Sequence, residues 1–234
     1  MRLQLIDIKE IKGRIILESG LHIGAGDTEM HIGGTDNPVV KHSHTQEPYI
    51  PGSSLKGKVR SLLEMKSGLM PTTKGAPLQA RNLNGLNGEQ EEECRKILKL
   101  FGSSGADNEE IEKLGPTRVS FADCSLSSEW RQKVRDDRLS LFEVKSENTI
   151  NRIKGTAEHP RFTERVPAGT EFDFNVSLKI LSDEEGELFN YLLRGLKLLE
   201  MDSLGGSGSR GYGKIKFEFE DEDIKNKFES IKPF

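Results

Sequence analysis

The segment from Leu204 to Gly213 combines residue types that can bind a phosphate group. Its glycines permit positive φ angles and let a ligand approach the backbone closely, while its serine hydroxyls and arginine can donate to phosphate oxygens. It is not a Walker loop, because no Gly-Lys-Ser/Thr sequence ends it. A flexible connector is the alternative interpretation. The candidate binding residues are Gly206, Ser207, Ser209, Arg210 and Tyr212, the last of which could stack on a base or pack against the protein.

A second candidate anion site lies where a helix is expected to begin. The Pro51-Gly52 pair predicts a turn, and Ser53 or Ser54 is expected to cap the following helix. Free N–H groups at a helix N-terminus attract anions. A capped helix with a solvated polar face is the alternative. The cationic candidates are Lys56 and Arg60, four residues apart on one helical face, and Lys58 on a neighbouring face.

The carboxylate of Asp36 lies in a glycine-containing loop, residues 32–41. A carboxylate in such a loop can ligate a divalent cation or orient a nucleophile. On RNA the nucleophile can be the substrate's own 2′-hydroxyl, so no serine or cysteine is needed. Aligning that hydroxyl in line with the leaving oxygen supplies part of the rate acceleration. Taken alone, however, Asp36 before Asn37-Pro38 is typical of a turn residue.

The histidines give weaker signals. His22 could contact RNA or simply end a strand, and His42 and His44 have strand spacing and could share a metal ion. Two ligands do not define a metal site. No Ser/His/Asp triad and no pair of catalytic carboxylates can be assigned from spacing.

These candidates are expected to be positioned by two similar halves of the chain. Residues 170–181 alternate between apolar and polar types and predict a strand with one buried face. Apolar residues at helical spacing follow in residues 188–199, and residues 215–219 alternate again. The first half repeats this order, with a strand at residues 8–18, a helix at 51–66 and a strand at 117–124. The sequence therefore predicts the βαββαβ order of an α+β, ferredoxin-like (RRM-like) fold.

Two segments, residues 68–116 and 139–167, exceed the needs of that core, and segments this long are often functional. The first contains an acidic helix with Gly102 as its expected end and a buried face formed by Cys94, Ile97, Leu98 and Phe101. The second is polar and rich in Arg, Asn and Thr.

Composition limits the function classes. The 234 residues suit one domain, and no apolar run is long enough to span a bilayer, so we expect a cytoplasmic protein without a membrane partner. The 2 cysteines, Cys94 and Cys124, are expected to be reduced and buried. The net charge of −4 argues mildly against nucleic acid. Acid is concentrated at residues 89–93, 107–112 and 218–223, however, so a locally basic face is possible.

At these residues the sequence resembles the repeated backbone subunit of type III-A CRISPR–Csm complexes, a RAMP-superfamily protein. The glycine loop is typical of the superfamily, whereas residues 32–41 together with the Glu-Asn-Thr-Ile block are more specific. The matching blocks are Leu21-His22-Ile23-Gly24, Ile32–Lys41, Ile50–Lys58, Glu143–Lys145, Glu147–Ile150, Leu196–Glu200 and Leu204–Lys214.

The resemblance implies a single RAMP domain over residues 1–234. Its palm core would cover about 7–66, 117–138 and 168–221, with a helical lid insertion at about 68–116 and a thumb β-hairpin at about 139–167. Copies would stack along a guide RNA (crRNA) beside other Csm subunits. The thumb, with Asn148, Arg152 and Arg161 as RNA contacts, would displace a base pair of the guide–target duplex.

The resemblance also implies that Asp36 lies beside the displaced target nucleotide and assists cleavage at regular intervals. A divalent metal ion, Mg²⁺ or Mn²⁺, is expected, and its ligands could include Asp36. The expected products are a 2′,3′-cyclic phosphate and a 5′-hydroxyl. The chain departs from the family at Lys41-His42-Ser43, where Lys-Asp-Pro is common. The alternatives are a non-catalytic RNA scaffold, a guide-processing ribonuclease of the same superfamily and a metabolic phosphate-binding protein.

Overall fold

A computed structural model of the chain describes residues 4–26, 37–104, 109–181 and 186–234. The strands are β1 (Asp7–Leu17), β2 (Tyr49–Ile50), β3 (Val119–Phe121), β4 (Cys124–Ser125), β5 (Glu143–Ile150), β6 (Ala157–Arg165), β7 (Glu171–Ile180) and β8 (Ile215–Phe219). The helices are α1 (Gly52–Lys66), α2 (Gly88–Phe101), α3 (Glu109–Leu114), α4 (Ser128–Asp137), α5 (Gly186–Met201) and α6 (Glu222–Ser230). Short 3-10 helices occur at Met70–Thr73, Ala80–Leu83 and Gly208–Arg210.

A four-stranded sheet in the order β3-β7-β1-β8 forms the centre of the fold. Each neighbouring pair in it is antiparallel. Helix α1 lies between β1 and β3 in the chain, and α5 lies between β7 and β8. Two-stranded antiparallel sheets are formed by β2 with β4 and by β5 with β6. The predicted mixed α/β fold with antiparallel sheets is confirmed.

One face of the four-stranded sheet is buried, as the sequence alternation predicts. On β7, Phe172 and Leu178 are fully buried, and α1 and α5 pack against each other over the core. A Cβ atom at Gly195 of α5 would lie 2.7 Å from Val59 Cγ1 of α1, so this glycine lets the two helices approach closely. Removing a large apolar side chain from such a core typically costs about 2–5 kcal/mol.

The segment predicted as one strand, residues 117–124, is divided in the structure. Strand β3 pairs with β7, whereas β4 pairs with β2. The break falls where the start of α1 meets this segment, and the Gly52 N–H donates to Asp123 Oδ1 at 2.7 Å. The pairing with β7 is therefore interrupted where the chain supports the beginning of α1, and it resumes at Leu126.

The insertion at residues 68–116 is attached to α1 through helix α2. The predicted apolar face of α2, with Cys94 and Ile97 at 0 % exposure, packs into the core, and Gly102 ends the helix with φ +83°. Both cysteines are free and buried, and burial raises the pKa of the Cys94 thiol to about 11 and that of Cys124 to about 12. No helix in the described ranges is long and apolar enough to cross a membrane.

A largely buried ion pair holds this insertion in place. Arg60 Nε lies 2.7 Å from Glu64 Oε1, and the guanidinium also donates to the Gly102 carbonyl at 3.2 Å and the Leu78 carbonyl at 2.5 Å. Glu64 Oε1 accepts the Leu78 N–H at 3.1 Å. The side chains of Arg60 and Glu64 are 18 % and 9 % exposed. The insertion is thus joined to α1 by polar contacts at two points, Leu78 and Gly102.

We predict that Glu64→Ala lowers the free energy of unfolding by about 3 kcal/mol, because it leaves the Arg60 guanidinium buried without its carboxylate. Urea denaturation measures the change. Glu91→Ala is the control, since Glu91 pairs with Arg95 at the same spacing but on a half-exposed face of α2. Its loss should be several times smaller, and equal losses in the two variants would contradict the structural role of the Arg60–Glu64 pair.

Candidate nucleic-acid interface

The glycine loop, residues 204–213, is folded onto the chain segment that follows β1. The Gly213 N–H donates to the Gly20 carbonyl at 2.9 Å, and the Gly206 N–H donates to the His22 carbonyl at 2.9 Å. The loop is closed on itself by the Leu204 N–H, which donates to the Gly213 carbonyl at 2.8 Å. The loop is therefore a docked structure and not a flexible connector.

Two glycines are required by the loop's own fold. Gly205 has φ +74°, and a Cβ atom there would lie 2.3 Å from the His22 carbonyl oxygen. Gly213 has φ +70°, and its Cβ would lie 1.9 Å from the Leu204 carbonyl oxygen. Gly206, by contrast, is exposed, and a Cβ there would make only ordinary contacts with His22. The glycines of this loop were predicted to let a ligand approach the backbone. Gly205 and Gly213 instead let other parts of the same chain approach it.

The base of the β5–β6 hairpin contacts this loop through charged residues. Arg210 Nη1 lies 2.9 Å from Glu147 Oε2 on β5, and Arg210 Nη2 donates to Ser207 Oγ at 2.7 Å. Lys145 Nζ donates to the Arg210 carbonyl at 3.2 Å. Ser209 and Arg210 remain exposed. Loop and hairpin therefore form one continuous surface.

Tyr212 is buried at the junction of loop and hairpin, with 1 % of its surface exposed. Lys145 Nζ and Arg165 Cζ lie 4.5 Å and 5.1 Å from its ring centroid. Of the two roles predicted for this ring, packing is the one that it has, since a base cannot reach it in this conformation. Burial, and then the interaction with the nearby Glu147 carboxylate, raise the pKa of its hydroxyl.

His22 lies between the glycine loop and the hairpin. Its Nδ1 is 2.7 Å from the Glu164 carbonyl oxygen on β6, and the residue is half-buried. The neighbouring residue Leu21 pairs with Val166 just beyond β6. His22 therefore helps to join the hairpin to the core, and its Nε2 edge faces Gly24.

Asp36 lies outside the described residues, but the chain that follows it is anchored to the hairpin. Asn37 pairs with Thr163 of β6. Glu164 Oε2 accepts the Val39 N–H at 2.9 Å, and Glu164 Oε1 lies 3.1 Å from Lys41 Nζ. The sequence did not single out Glu164. Its one signal was its place beside the arginines of the segment expected to form the thumb.

The start of α1 differs in part from the prediction. Neither Ser53 nor Ser54 caps the helix; the Ncap residue is Pro51, and Asp123 accepts the Gly52 N–H instead. The hydroxyls of Ser53 and Ser54 thus make no capping hydrogen bond. A Cβ at Gly52 would lie 2.3 Å from the Phe121 carbonyl oxygen, so this position must be glycine.

The three predicted cations of α1 have different environments. Lys56 is half-buried and has no ion-pair partner among the residues that the structure describes; partial burial and then the Arg60 charge lower its pKa. Lys58 Nζ lies 2.7 Å from Asp202 Oδ2, which precedes the glycine loop. Arg60 donates to Glu64 and to carbonyls of the insertion. The guanidinium of Arg60 is thus engaged within the protein, unlike the amine of Lys56.

The remaining candidates, Asn148, Arg152 and Arg161, are exposed on the hairpin. A cleft of about 390 Å³ at the hairpin base is lined by Lys145, Glu147, Asn148, Thr149, Arg161 and Arg210. A larger cavity of about 580 Å³, between α5, β8 and α6, contains none of the predicted site residues. Hairpin and glycine loop together thus provide a cleft with three cationic side chains and one carboxylate.

The described ranges contain no group of three His, Cys, Asp or Glu residues placed to hold a metal ion. The exposed rings of His42 and His44 lie 6.2 Å apart, and His42 lies equally far from Tyr49. The described residues thus do not form a metal site by themselves.

Comparison with known proteins identifies the family. The RAMP superfamily model matches residues 14–216. A protein of Methanocaldococcus jannaschii named CRISPR system Cms endoribonuclease Csm3 is 42% identical over 92% of this chain and 79% of its own length. A protein of the same name from Streptococcus thermophilus is 41% identical over 89% and 86%.

A solved structure agrees with the sequence relatives. A crystal structure of a Csm3–Csm4 subcomplex from a type III-A CRISPR–Cas interference complex superposes with a TM-score of 0.55 and 33% identity, covering 92% of this chain and 78% of that one. The chain therefore belongs to the RAMP superfamily and, within it, to the Csm3 family.

Proposed function

We propose that this chain is the guide-binding backbone subunit of a type III-A CRISPR (Csm) interference complex and cleaves target RNA within it. One observation carries the proposal: the glycine loop, the hairpin base and the chain following Asp36 meet in one surface. The names of the relatives support ribonuclease activity, and the Csm3–Csm4 structure supports assembly with other Csm subunits.

In this proposal the four-stranded sheet with α1 and α5 is the ferredoxin-like palm. If β1, β3, β7 and β8 are numbered 1 to 4 in chain order, their order across the sheet is 4-1-3-2. This is the order that the βαββαβ arrangement requires. The insertion containing α2 and α3 is the lid. The β5–β6 hairpin is the thumb, and its exposed Ile153 and Phe162 are suited to pack against bases of the guide–target duplex.

The guide backbone is proposed to run over the start of α1 and the glycine loop. Free backbone N–H groups, serine hydroxyls and cations bind phosphate without reading sequence. On α1 these groups are Ser53, Ser54, Lys56 and Lys58. On the loop they are Gly206, Ser207, Ser209 and Arg210, with His22 beside them. On the thumb they are Asn148, Arg152 and Arg161.

Cleavage is proposed to use the RNA's own nucleophile. The 2′-oxygen attacks the adjacent phosphorus, the bond from phosphorus to the 5′-oxygen breaks, and a 2′,3′-cyclic phosphate and a 5′-hydroxyl result. The thumb would unstack one target nucleotide so that its backbone can reach the in-line geometry that a helix forbids. Asp36 is the proposed catalytic residue, next to Asn37, which pairs with the thumb strand β6.

A divalent metal ion remains part of the proposal. Mg²⁺ in nucleic-acid enzymes is held by one or two carboxylates together with substrate phosphates and water. A single carboxylate such as Asp36, with RNA phosphates supplying further oxygens, fits that donor set. The complete set of ligands would then exist only in the complex with RNA.

We predict that Asp36→Ala lowers the rate of target cleavage at every site by about 100-fold or more, while guide binding is unchanged. The measurement is single-turnover cleavage of labelled target RNA by the reconstituted complex. The control, Asp137→Ala, removes an aspartate from α4, where we place no RNA. Cleavage that persists at every site in Asp36→Ala would make the chain a non-catalytic scaffold.

A second prediction concerns Gly57, an exposed glycine inside α1 whose Cβ would have nothing within 4 Å. Gly57→Ala should raise the free energy of unfolding by about 0.5–1 kcal/mol, since glycine weakens a helix interior. It should also weaken guide binding, because the methyl group would project where the phosphate backbone is proposed to lie. Urea denaturation and RNA-binding titrations measure the two effects.

Gly186→Ala, which adds the same methyl group at the start of α5, is the control for RNA binding. Its affinity for guide RNA should equal that of the wild-type chain. If Gly57→Ala stabilised the chain and left its affinity for guide RNA unchanged, α1 would not be part of the guide-binding surface.

A further inference from the structure

Glu147 is an acidic residue in the most cationic part of the candidate interface. Its Oε2 lies 2.9 Å from Arg210 Nη1, and its Oε1 lies 3.7 Å from Lys145 Nζ. Arg161 is its partner across the hairpin on β6. The Glu147 side chain is 18 % exposed and lines the cleft at the hairpin base. A carboxylate thus occupies a position where cationic groups converge.

The donors that Glu147 engages are ones that a phosphate would use. Arg210 is held from two sides, by the Glu147 carboxylate and by Ser207 Oγ, yet 53 % of its side chain is exposed. Carboxylates and phosphates bind a guanidinium through the same planar arrangement of N–H groups. A phosphate that approached Arg210 would therefore compete with the Glu147 carboxylate for the same N–H groups. It would also be repelled by the negative charge of that carboxylate.

We propose that Glu147 is an internal competitor of the guide phosphate, which holds Arg210 in the RNA-free chain and must release it when RNA binds. The inference rests on the proposed function, because it takes Arg210 as a contact to the guide backbone. It assigns to Glu147 a role in affinity and selectivity and not in the cleavage step.

The structure also offers the released carboxylate a new partner. The Tyr212 hydroxyl is buried, and it has no hydrogen-bond partner in the part of the chain that the structure describes. After burial itself, the charge of Glu147 contributes to raising the pKa of this hydroxyl. When Arg210 turns to a phosphate, Glu147 can accept the Tyr212 O–H while Lys145 remains nearby. The exchange replaces one hydrogen bond with another and leaves no buried carboxylate unpaired.

Such a competitor would favour long guides over short RNA fragments. The RNA must displace one Glu147 carboxylate at each copy of the chain that it binds. An RNA that makes few other contacts therefore gains little binding free energy from Arg210. A guide that also engages α1 and the rest of the glycine loop keeps a net gain at every copy. Weak binding of short RNA and strong retention of the guide both follow.

The test is an RNA-binding titration of the full chain with fluorescently labelled single-stranded RNA at several salt concentrations. Glu147→Gln keeps the shape of the side chain and its ability to accept from Tyr212, but it removes the charge. We expect it to bind RNA about two- to fivefold more tightly than wild type, the range typical of a surface ion pair. The gain should be largest at low salt, because the charge that Glu147→Gln removes repels the RNA phosphates and salt screens that repulsion.

Two further variants make the result specific. Glu10→Gln removes the same charge from an exposed pair with Lys12 on β1, and its affinity should stay at the wild-type value. Arg210→Ala should weaken binding, and adding Glu147→Gln to it should bring no gain, since the cation for which the two anions compete is gone.

Two outcomes would overturn the inference, and they can be told apart. If Glu147→Gln bound RNA as weakly as wild type or more weakly, while Arg210→Ala also lost affinity, Glu147 would position Arg210 and would not compete with RNA. If Arg210→Ala bound RNA as well as wild type, Arg210 would not contact the guide, and the proposed function would lose that contact as well.

Discussion

Main-chain hydrogen bonds between the glycine loop and the segment after β1 fix the candidate interface. They run from Gly213 to Gly20 and from Gly206 to His22. The two backbone segments approach so closely that a side chain would not fit between them. Gly205 and Gly213, which have no side chain, occupy the tightest positions. The same segment pairs with Val166 beside β6. The loop, the hairpin and the core are thereby held in one arrangement, and the charged side chains add to a surface that the backbone has already built.

Charge is distributed within this surface in a way that net charge does not reveal. Several acidic side chains join a cation on another segment: Glu147 with Arg210, Glu164 with Lys41, and Glu143 with Arg165. The first two pairs connect the hairpin to its surroundings, and the third joins its two strands. Lys56, Arg152 and Arg161 have no ion-pair partner within the described ranges. A chain with a net charge of −4 can thus present cations locally, because many of its acids lie in other segments or are paired.

The elements of the core could be predicted because their burial follows from local periodicity. The alternation along β7 and the helical spacing in α5 gave nearly correct boundaries. The sequence is less informative where tertiary contacts determine the role of a side chain. From the sequence, the Tyr212 ring could stack on a base or pack against the protein. It packs against the protein because the hairpin lies over it. Arg60 has the spacing of a phosphate contact, but the insertion folds back and engages its donors. The partners of Asp123, Glu147 and Glu164 could not be predicted locally, because they are distant in sequence.

The central claim is that guide RNA lies on the surface formed by the glycine loop, the hairpin base and the start of α1. Hydrogen–deuterium exchange of the full chain with and without guide RNA tests it directly, since bound RNA slows exchange of the amides that it covers or stabilises. We predict slower exchange in residues 204–213, in 143–148 and at the first turn of α1, with little change on β7. Protection confined to β1, β7 and β8, with the glycine loop unchanged, would contradict this placement of the RNA.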